Sequence, residues 1–254
     1  SGVFVAARAF TLIELLIVVA IIALLVAIMV PSLARARSIA KSVQCLSNLR
    51  QLAIAARGYT SAYEGAFPIA RDNVNSWDVT TVVQPSGASV KAPGILYGLP
   101  GPTSEGALKI FQCPVYTLAA NPAALFTGYN YNTSFIGHGV GEPLVRPARD
   151  WQVLNPAGTA LFGDGQGITG PNKFMRCPLI PAVGEGGDSS PAFGSALRAA
   201  GTQGFRHSGK TNVAWADGHA ETLASHPAPP AGIAAILAPG TGFLSSDNGA
   251  YDLR

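Results

Sequence analysis

Charged side chains are scarce in this chain of 254 residues, where Asp, Glu, Lys and Arg together make up 12% of the sequence, about half the usual share. The formal net charge is +3, which is too small to indicate nucleic acid as a partner. Cysteine is rare as well, and the three residues present allow one disulfide and leave one thiol over. Glycine and proline number 29 and 19 and concentrate after Phe67, which indicates turns, loops and short strands.

The sequence also lacks a convincing catalytic constellation, because no serine, cysteine or carboxylate pair stands in a pattern typical of nucleophilic or acid–base catalysis. The segment Gly204–Thr211 has the spelling of a phosphate-binding loop, G-x-x-x-x-G-K-T. That loop binds phosphate only between a buried strand and a helix, whereas the residues from Thr211 onward predict a β-hairpin. We therefore predict neither nucleotide binding nor an enzyme.

A long apolar run from Phe10 to Val30 is the dominant feature of the sequence, and only Thr11 and Glu14 interrupt it. A helix that is apolar on all sides must be buried in a bilayer or inside a larger assembly. The run is long enough to span a membrane, which takes about 20 residues. A carboxylate in such a segment costs roughly 2.5–3.5 kcal/mol, so Glu14 is either incidental or a functional group that needs a partner.

Residues Ala9 to Leu16, which read Ala-Phe-Thr-Leu-Ile-Glu-Leu-Leu, resemble the type III signal of type IV pilins and pseudopilins. The resemblance implies that a prepilin peptidase cuts between Ala9 and Phe10 and that the new amine is then N-methylated. It also implies a role for Glu14 in filament assembly. Pro31 falls where many pilins carry a helix-kinking proline. The family usually has glycine at the position of Ala9, but alanine is also small enough for cleavage.

Residues 1–9 are accordingly predicted to be a prepilin leader or an N-terminal extension.

The charges around the apolar run conflict with the location that the pilin resemblance implies. Arg35, Arg37 and Lys41 follow the run, whereas Arg8 precedes it. By the positive-inside rule this asymmetry would place the C-terminal domain in the cytoplasm. The pilin resemblance implies an inner-membrane precursor that becomes part of an extracellular or periplasmic filament, and we follow the resemblance.

The helical pattern continues beyond Pro31, so we predict one long helix over residues 10–64, with residues 10–31 as its apolar part. Its second half is amphipathic, and the predicted apolar face comprises Ile39, Val43, Leu46, Leu49, Ala53 and Ala56. Asn48 is predicted to lie on the opposite, polar face. The remaining residues, 65–254, are predicted to form a globular β-rich head domain on which the apolar face docks.

Three further motif groups resemble a subfamily of pilin-like proteins that carry an H-X9-DG processing-associated domain. The first is Cys45-x-x-Asn48-Leu-x-Gln, and the second is the Cys-Pro pair at Cys113. The third is His207 followed after nine residues by Asp217 and Gly218.

The subfamily resemblance bears on the cysteines. Because the subfamily tends to carry both Cys45 and Cys113, it implies a disulfide between them, which would join the helix to the head domain. A Cys113–Cys177 disulfide is the second possibility, suggested by the matching Cys-Pro pairs. A bridge of either kind is worth about 4–5 kcal/mol in the loop-entropy description.

The strongest strand signal runs from Thr211 to Leu223, where Asp217-Gly218 separates two short alternating runs. Asp-Gly in this context predicts a β-hairpin. His207 is expected in the loop that leads into the hairpin, and the hairpin sheet is the expected partner of the helix. Two shorter strands are predicted at Val79–Val83 and Thr159–Gly163.

Two metal sites are conceivable from the sequence. The first would combine His207, Asp217 and His219, although the turn explains Asp217 and loop hydrogen bonds explain the histidines. The second would be a Ca²⁺ site in the C-terminal tail at Asp247 and Asp252, because a similar loop binds calcium in some pseudopilins. Calcium needs about six to eight oxygen ligands, so a further carboxylate would have to complete the site, either Asp164 or Asp188.

Together these features predict an α+β, pilin-like fold, with a long N-terminal helix packed on a small antiparallel sheet with long loops. The expected function is that of a structural subunit of a type IV pilus-like filament, a homo-oligomer whose apolar helices form the core. The alternative is a pseudopilin of a type II secretion or DNA-uptake pseudopilus, and a membrane-anchored ligand-binding protein is a distant third. The expected partners are the prepilin peptidase/N-methyltransferase, the pilus or secretion assembly machinery and the inner membrane.

Overall fold

A computed structural model describes residues 11–72, 76–83, 89–98, 109–116, 128–138, 146–167, 170, 172–181, 187, 198–199, 201–224 and 227–254. The chain divides into two compact units, Ser1–Ala40 and Lys41–Arg254. The division falls inside the N-terminal helix, so the second half of that helix belongs to the same unit as the strands. We call Lys41–Arg254 the head unit.

Helix α1 runs from Leu12 to Ala62 and contains Pro31 in its interior. Its large apolar side chains between Leu12 and Val30 are about half exposed or more. By length and composition, α1 is a candidate membrane span, with no part of its most apolar window buried. Such a surface is not stable in water and needs a bilayer or neighbouring apolar chains around it.

Nine strands and four short 3₁₀ helices follow in the described residues. The strands are β1 (Val79–Val83), β2 (Ser89–Pro93), β3 (Tyr129–Asn132), β4 (Ala160–Asp164), β5 (Phe174–Met175), β6 (Gln203–Gly204), β7 (Thr211–Trp215), β8 (Ala220–Leu223) and β9 (Thr241–Gly242). The 3₁₀ helices span Ile95–Gly98, Lys109–Phe111, Asp150–Gln152 and Ala234–Ile236. The prediction of β1 is confirmed, and the strand predicted at Thr159–Gly163 is found one residue later, as β4.

The central sheet has the strand order β5-β3-β4-β7-β8, and two two-stranded sheets pair β1 with β2 and β6 with β9. The α+β, pilin-like fold is thus confirmed, but the sheet that we predicted to be antiparallel is mixed. Strand β5 pairs parallel to β3, with Tyr131 opposite Phe174. Strand β5 follows β4 in the chain but pairs with β3, and because β4 runs antiparallel to β3, a strand that reverses direction after β4 runs parallel to β3.

The middle of the central sheet is buried on both of its faces, because every residue of β3, β4 and β7 is buried. Aromatic rings fill the core beside it. Phe162 stacks on Tyr131 with ring centroids 4.8 Å apart, and Trp77 lies 5.3 Å from Phe162. A strand that is buried on both sides need not alternate between apolar and polar residues, and β4, which reads Ala-Leu-Phe-Gly-Asp, does not alternate.

The buried face of α1 differs from the predicted one. It consists of Cys45, Asn48, Leu49, Leu52, Ala53, Ala56 and Thr60. Ile39 and Val43 are 64% and 59% exposed, so their assignment to the packed face was wrong. The assignment of Asn48 to the polar face was wrong as well, because its amide is hydrogen-bonded inside the head unit. A buried polar group is tolerated when its hydrogen bonds are satisfied, and hydrophobicity alone does not reveal this.

The predicted hairpin is confirmed, since β7 and β8 pair antiparallel with Thr211 opposite Leu223. The connecting turn is longer than a two-residue loop. The N–H of Gly218 donates to the carbonyl of Trp215, and the N–H of Trp215 donates to the carbonyl of His219. Gly218 has a φ of +98°. A bulged hairpin turn of this kind requires one residue in the left-handed conformation, and Gly218 is that residue.

Candidate functional site

The first turn of α1 forms a capping box between Thr11 and Glu14. The carboxylate of Glu14 accepts hydrogen bonds from the backbone N–H of Thr11 at 2.9 Å and from its hydroxyl at 2.7 Å. In return, the N–H of Glu14 donates to the hydroxyl oxygen of Thr11 at 3.3 Å. This reciprocal pattern satisfies donors that a helix start would leave unpaired. Glu14 therefore has a role within its own chain, which the sequence analysis missed although Thr-x-x-Glu is its recognisable signal.

The proposed processing residues Ala9 and Phe10 lie outside the described residues.

Pro31 is exposed within α1, where the hydroxyl of the next residue, Ser32, donates to the carbonyl of Met29 at 2.8 Å. Proline has no N–H to donate to the carbonyl four residues earlier, that of Ala27, so the Ser32 bond to Met29 is an additional contact and does not replace the missing one.

A second candidate site lies inside the head unit, where Cys45, Cys113, Asp164 and His207 come together. One potential ligand atom from each of the four residues lies within 4.8 Å of the other three, and all four residues are buried. Cys45 comes from α1, Cys113 follows a 3₁₀ helix, Asp164 ends β4 and His207 precedes β7. We call these four residues the buried cluster.

Asp164 is the centre of the polar contacts in the buried cluster. Its Oδ2 accepts a hydrogen bond from the backbone N–H of Asn212 at 2.7 Å and lies 3.0 Å from Nε2 of His207. Its Oδ1 lies 3.4 Å from the guanidinium of Arg206. Arg206 also donates to the carbonyl of Gly128. The buried carboxylate thus faces two cationic side chains and one backbone donor, which offset the cost of its burial.

His207 is less well satisfied than Asp164. Its contact with Asp164 meets the distance of an ion pair, but neither ring nitrogen has a hydrogen-bond partner of good geometry among the described residues. Burial acts to lower the pKa of His207, yet the contacts with Asp164 and Cys113 outweigh burial and raise it to about 9. A pKa in this range favours the cationic form of the imidazole at neutral pH.

The two thiols of the buried cluster have unequal proton affinities. Cys45 and Cys113 share a hydrogen bond in which either thiol could be the donor, and this contact, with help from His207 and Arg206, lowers the pKa of Cys113 despite burial. The same hydrogen bond, together with burial, raises the pKa of Cys45. Cys113 is therefore the thiol that ionises first.

The cysteines are free thiols in the structure, with the Sγ atoms of Cys45 and Cys113 only 2.8 Å apart. Cys177 lies in different surroundings, because Nη1 of Arg198 lies 3.0 Å from its sulfur and its own thiol donates to the carbonyl of Leu179. The structure thus brings together the cysteine pair that the sequence favours. The Cys45–Cys113 disulfide itself stays a prediction.

The residues of the H-X9-DG motif lie in two different parts of the head unit. His207 is in the buried cluster, while Asp217 and Gly218 form the β7–β8 turn. There, Oδ1 of Asp217 accepts the backbone N–H of His219 at 2.9 Å and lies 2.6 Å from its ring Nδ1. Asp217 is therefore a turn residue that contacts His219, and both residues are partly exposed, whereas His207 is buried.

The C-terminal carboxylates have local partners. Asp247 accepts the N–H of Gly249 at 3.0 Å, and Asp252 accepts the N–H of Arg254 at 3.2 Å. Of their suggested helpers, Asp164 is in the buried cluster and Asp188 lies outside the described residues. Calcium binding in this tail stays a prediction.

The segment with the spelling of a phosphate-binding loop joins β6 to β7. The residue after the Gly-Lys pair, Thr211, begins a strand and not a helix. The helix N-terminus that would bind phosphate is therefore replaced by a strand.

Comparisons with known proteins bear on the N-terminus. A family model described as the prokaryotic N-terminal methylation motif matches residues 6–30. Neither the search of curated proteins nor the search of solved structures found a match. The matched motif and the long apolar helix that follows fit a type IV pilin or pseudopilin signal, and they support a pilin-like or pseudopilin class for this chain. That class is generally structural, is processed by a prepilin peptidase and has an inner-membrane precursor.

Proposed function

We propose that the chain is a structural subunit of a type IV pilus-like filament and polymerises through the apolar part of α1. The observation that carries the proposal is the stretch from Leu12 to Val30, which combines the methylation motif with exposed apolar side chains. The bilayer covers this surface in the precursor. Helices of neighbouring subunits replace the lipid in the filament, so the homo-oligomer keeps the surface away from water.

Glu14 is the residue to which we assign the pairing of subunits. After cleavage and methylation at Phe10, the N-terminal amine is a cation in the same apolar layer as the Glu14 carboxylate. The carboxylate of one subunit and the amine of its neighbour offset each other's desolvation cost. The capping box supports this, because it fixes the Glu14 side chain against Thr11, the residue that follows Phe10 in the sequence.

The test separates the charge of Glu14 from its capping role. Glu14→Gln keeps an acceptor oxygen for the capping box but removes the charge, whereas Glu14→Ala removes both. Glu221→Gln is the matched control, since Glu221 is exposed on β8 of the head unit. Each variant is produced with the prepilin peptidase and the assembly machinery, and filaments are quantified after shearing and by electron microscopy.

We expect both Glu14 variants to lose filaments while the melting temperature of the head unit stays unchanged, and the control to assemble normally. If Glu14→Gln assembled like the wild type while Glu14→Ala did not, capping would be the requirement and the charge pairing would be wrong. Normal filaments from both variants would contradict any role of Glu14 in assembly.

The second candidate function is that of a pseudopilin in a secretion or DNA-uptake system, because the same N-terminal motif serves that class. Long filaments built from this protein alone support the pilus subunit. Strict dependence on several minor partners supports the pseudopilin. A head unit that stays monomeric and binds a small ligand supports a membrane-anchored binding protein instead.

A further inference from the structure

We propose that the buried cluster of Cys45, Cys113, Asp164 and His207 is a structural zinc site. Two thiolates, one imidazole and one carboxylate would surround a single Zn²⁺. The inference goes beyond the proposed function, because it concerns how the head unit is held together and holds whether or not the chain forms filaments.

The chemistry of the four side chains selects zinc. Thiolate and imidazole ligands suit Zn²⁺, whereas Ca²⁺ and Mg²⁺ prefer oxygen ligands alone. Four protein ligands with no open position are typical of a structural zinc site, while a catalytic site keeps one position for water. All four members of the cluster are at most 4% exposed, so the site is closed to substrate.

The spacing of the ligand atoms is compatible with one ion. Zinc lies about 2.3 Å from sulfur and about 2.0–2.2 Å from nitrogen or oxygen, so its tetrahedral ligands are roughly 3.3–3.8 Å from one another. The four atoms already lie within 4.8 Å of one another. The two Sγ atoms are 2.8 Å apart, and they would have to separate by about 1 Å on binding.

His207 supplies the independent reason to expect a ligand. The ring is buried, and both nitrogens lack hydrogen-bond partners of good geometry among the residues described. Nε2 forms an ion pair with Asp164, whereas Nδ1 has no partner in good geometry in the described part of the chain, and a buried polar atom left unsatisfied costs about 1–3 kcal/mol. Coordination of one ring nitrogen by zinc removes that cost and displaces the imidazole proton, since metal binding requires the neutral ring.

The surroundings of the cluster also suit a metal. Two thiolates and one carboxylate carry three negative charges, and a divalent cation offsets two of them. Arg206, 3.4 Å from Asp164, balances the remaining charge. The N–H of Asn212 fixes the carboxylate, and outer contacts of this kind orient metal ligands in zinc sites.

A disulfide between Cys45 and Cys113 is the competing chemistry. It would use both sulfurs, so the ion could not bind, and His207 would keep only its ion pair with Asp164 among the described residues. The zinc site uses all four residues as ligands, whereas the disulfide uses two and leaves the ion pair of Asp164 and His207 beside it. The zinc-bound chain contains one zinc ion and no Cys45–Cys113 disulfide, whereas the disulfide-bonded chain contains no zinc at this site. Counting zinc and free thiols therefore distinguishes the two.

The first experiment uses the full chain from its native assembly, purified without reductant or chelator. Elemental analysis counts zinc, and denaturing alkylation followed by intact mass counts free thiols. We expect about one zinc per chain and three alkylated cysteines, as the free state of all three requires. X-ray absorption at the zinc edge should show two sulfur neighbours at about 2.3 Å and two lighter neighbours.

Cys45→Ser and Cys113→Ser should each lose the zinc. Cys177→Ser is the matched control, because Cys177 is equally buried but lies against Arg198 and outside the cluster, and it should keep one ion per chain. Chains in the native assembly with a Cys45–Cys113 disulfide would overturn the proposal. So would zinc retained by both cluster variants, or a wild-type chain that takes up no zinc chloride after reduction. The absorption spectrum decides the ligand set if a serine variant fails to fold.

Discussion

The side-chain amide of Asn48 donates a hydrogen bond to the hydroxyl oxygen of Tyr129, over 3.2 Å in the buried contact between α1 and β3. Asn48 lies one helical turn after Cys45, and both residues are buried. The helix is thus attached to the central sheet by a polar contact as well as by apolar packing. This contact belongs to the Cys-x-x-Asn motif, whose asparagine looked like a surface residue in the sequence.

Replacing Asn48 by alanine should destabilise the head unit by about 1–3 kcal/mol, because the hydroxyl of Tyr129 loses its buried donor. Gln44→Ala is the control on the exposed side of the same helix and should change stability by less than about 0.5 kcal/mol. Urea unfolding followed by tryptophan fluorescence measures both. Equal midpoints for the two variants would contradict a structural role for the Asn48–Tyr129 bond.

Replacing glycine by alanine should change the stability of the chain in opposite directions at Gly218 and Gly58. Gly218 has a φ of +98°, whereas Gly58 lies within α1, and a Cβ added to either glycine would meet no atom within 4 Å. Gly218→Ala should cost about 1–2 kcal/mol through backbone strain alone. Gly58→Ala should stabilise the chain by about 0.5–1 kcal/mol, since glycine is unfavourable inside a helix. Thermal unfolding checks both signs, and a neutral Gly218→Ala would refute the left-handed turn.

The ionised carboxylate of Asp217 should stabilise the β7–β8 turn at neutral pH and lose this effect at acidic pH. Burial acts to raise the pKa of Asp217, but hydrogen bonds from His219 outweigh it and lower the pKa below its ordinary value of 3.8. A lowered folded-state pKa gives stability that is present above the unfolded value and is lost as the pH falls through the folded value.

The variant Asp217→Asn should therefore be less stable than the wild type at about pH 6, and the difference should shrink towards about pH 3. Both side chains of the pair are more than a third exposed, so we expect less than about 1 kcal/mol. Urea unfolding at several pH values measures the difference. A gap that is independent of pH would show that the ionised carboxylate does not stabilise the turn.

Local signals in the sequence were sufficient to predict the long helix, β1 and the β7–β8 hairpin. Each depends on a short pattern, such as an apolar run or Asp217-Gly218 between alternating residues. The parallel pairing of β5 with β3 was not predictable in this way, because β5 has two residues and no periodicity. The buried face of α1 was misassigned at its N-terminal end, because Cys45 is only weakly apolar and Asn48 is polar.

The buried cluster was predictable in part. His207 and both cysteines stood out through the subfamily resemblance, but nothing in the sequence placed the histidine beside the thiols. Asp164 was considered only as a possible calcium ligand. Its position in Leu-Phe-Gly-Asp-Gly, at the end of an apolar strand, was the available signal that a carboxylate becomes buried there. The juxtaposition depends on strand order, which short-range patterns do not encode.

The most direct test of the central claim is the N-terminal sequence and intact mass of the protein in its native assembly. A filament subunit that pairs its amine with Glu14 must begin at Phe10 and carry an N-methyl group there. We predict this N-terminus for the assembled protein. A chain in the assembly that still carries residues before Phe10 would contradict the account, because no amine would then be available beside Glu14.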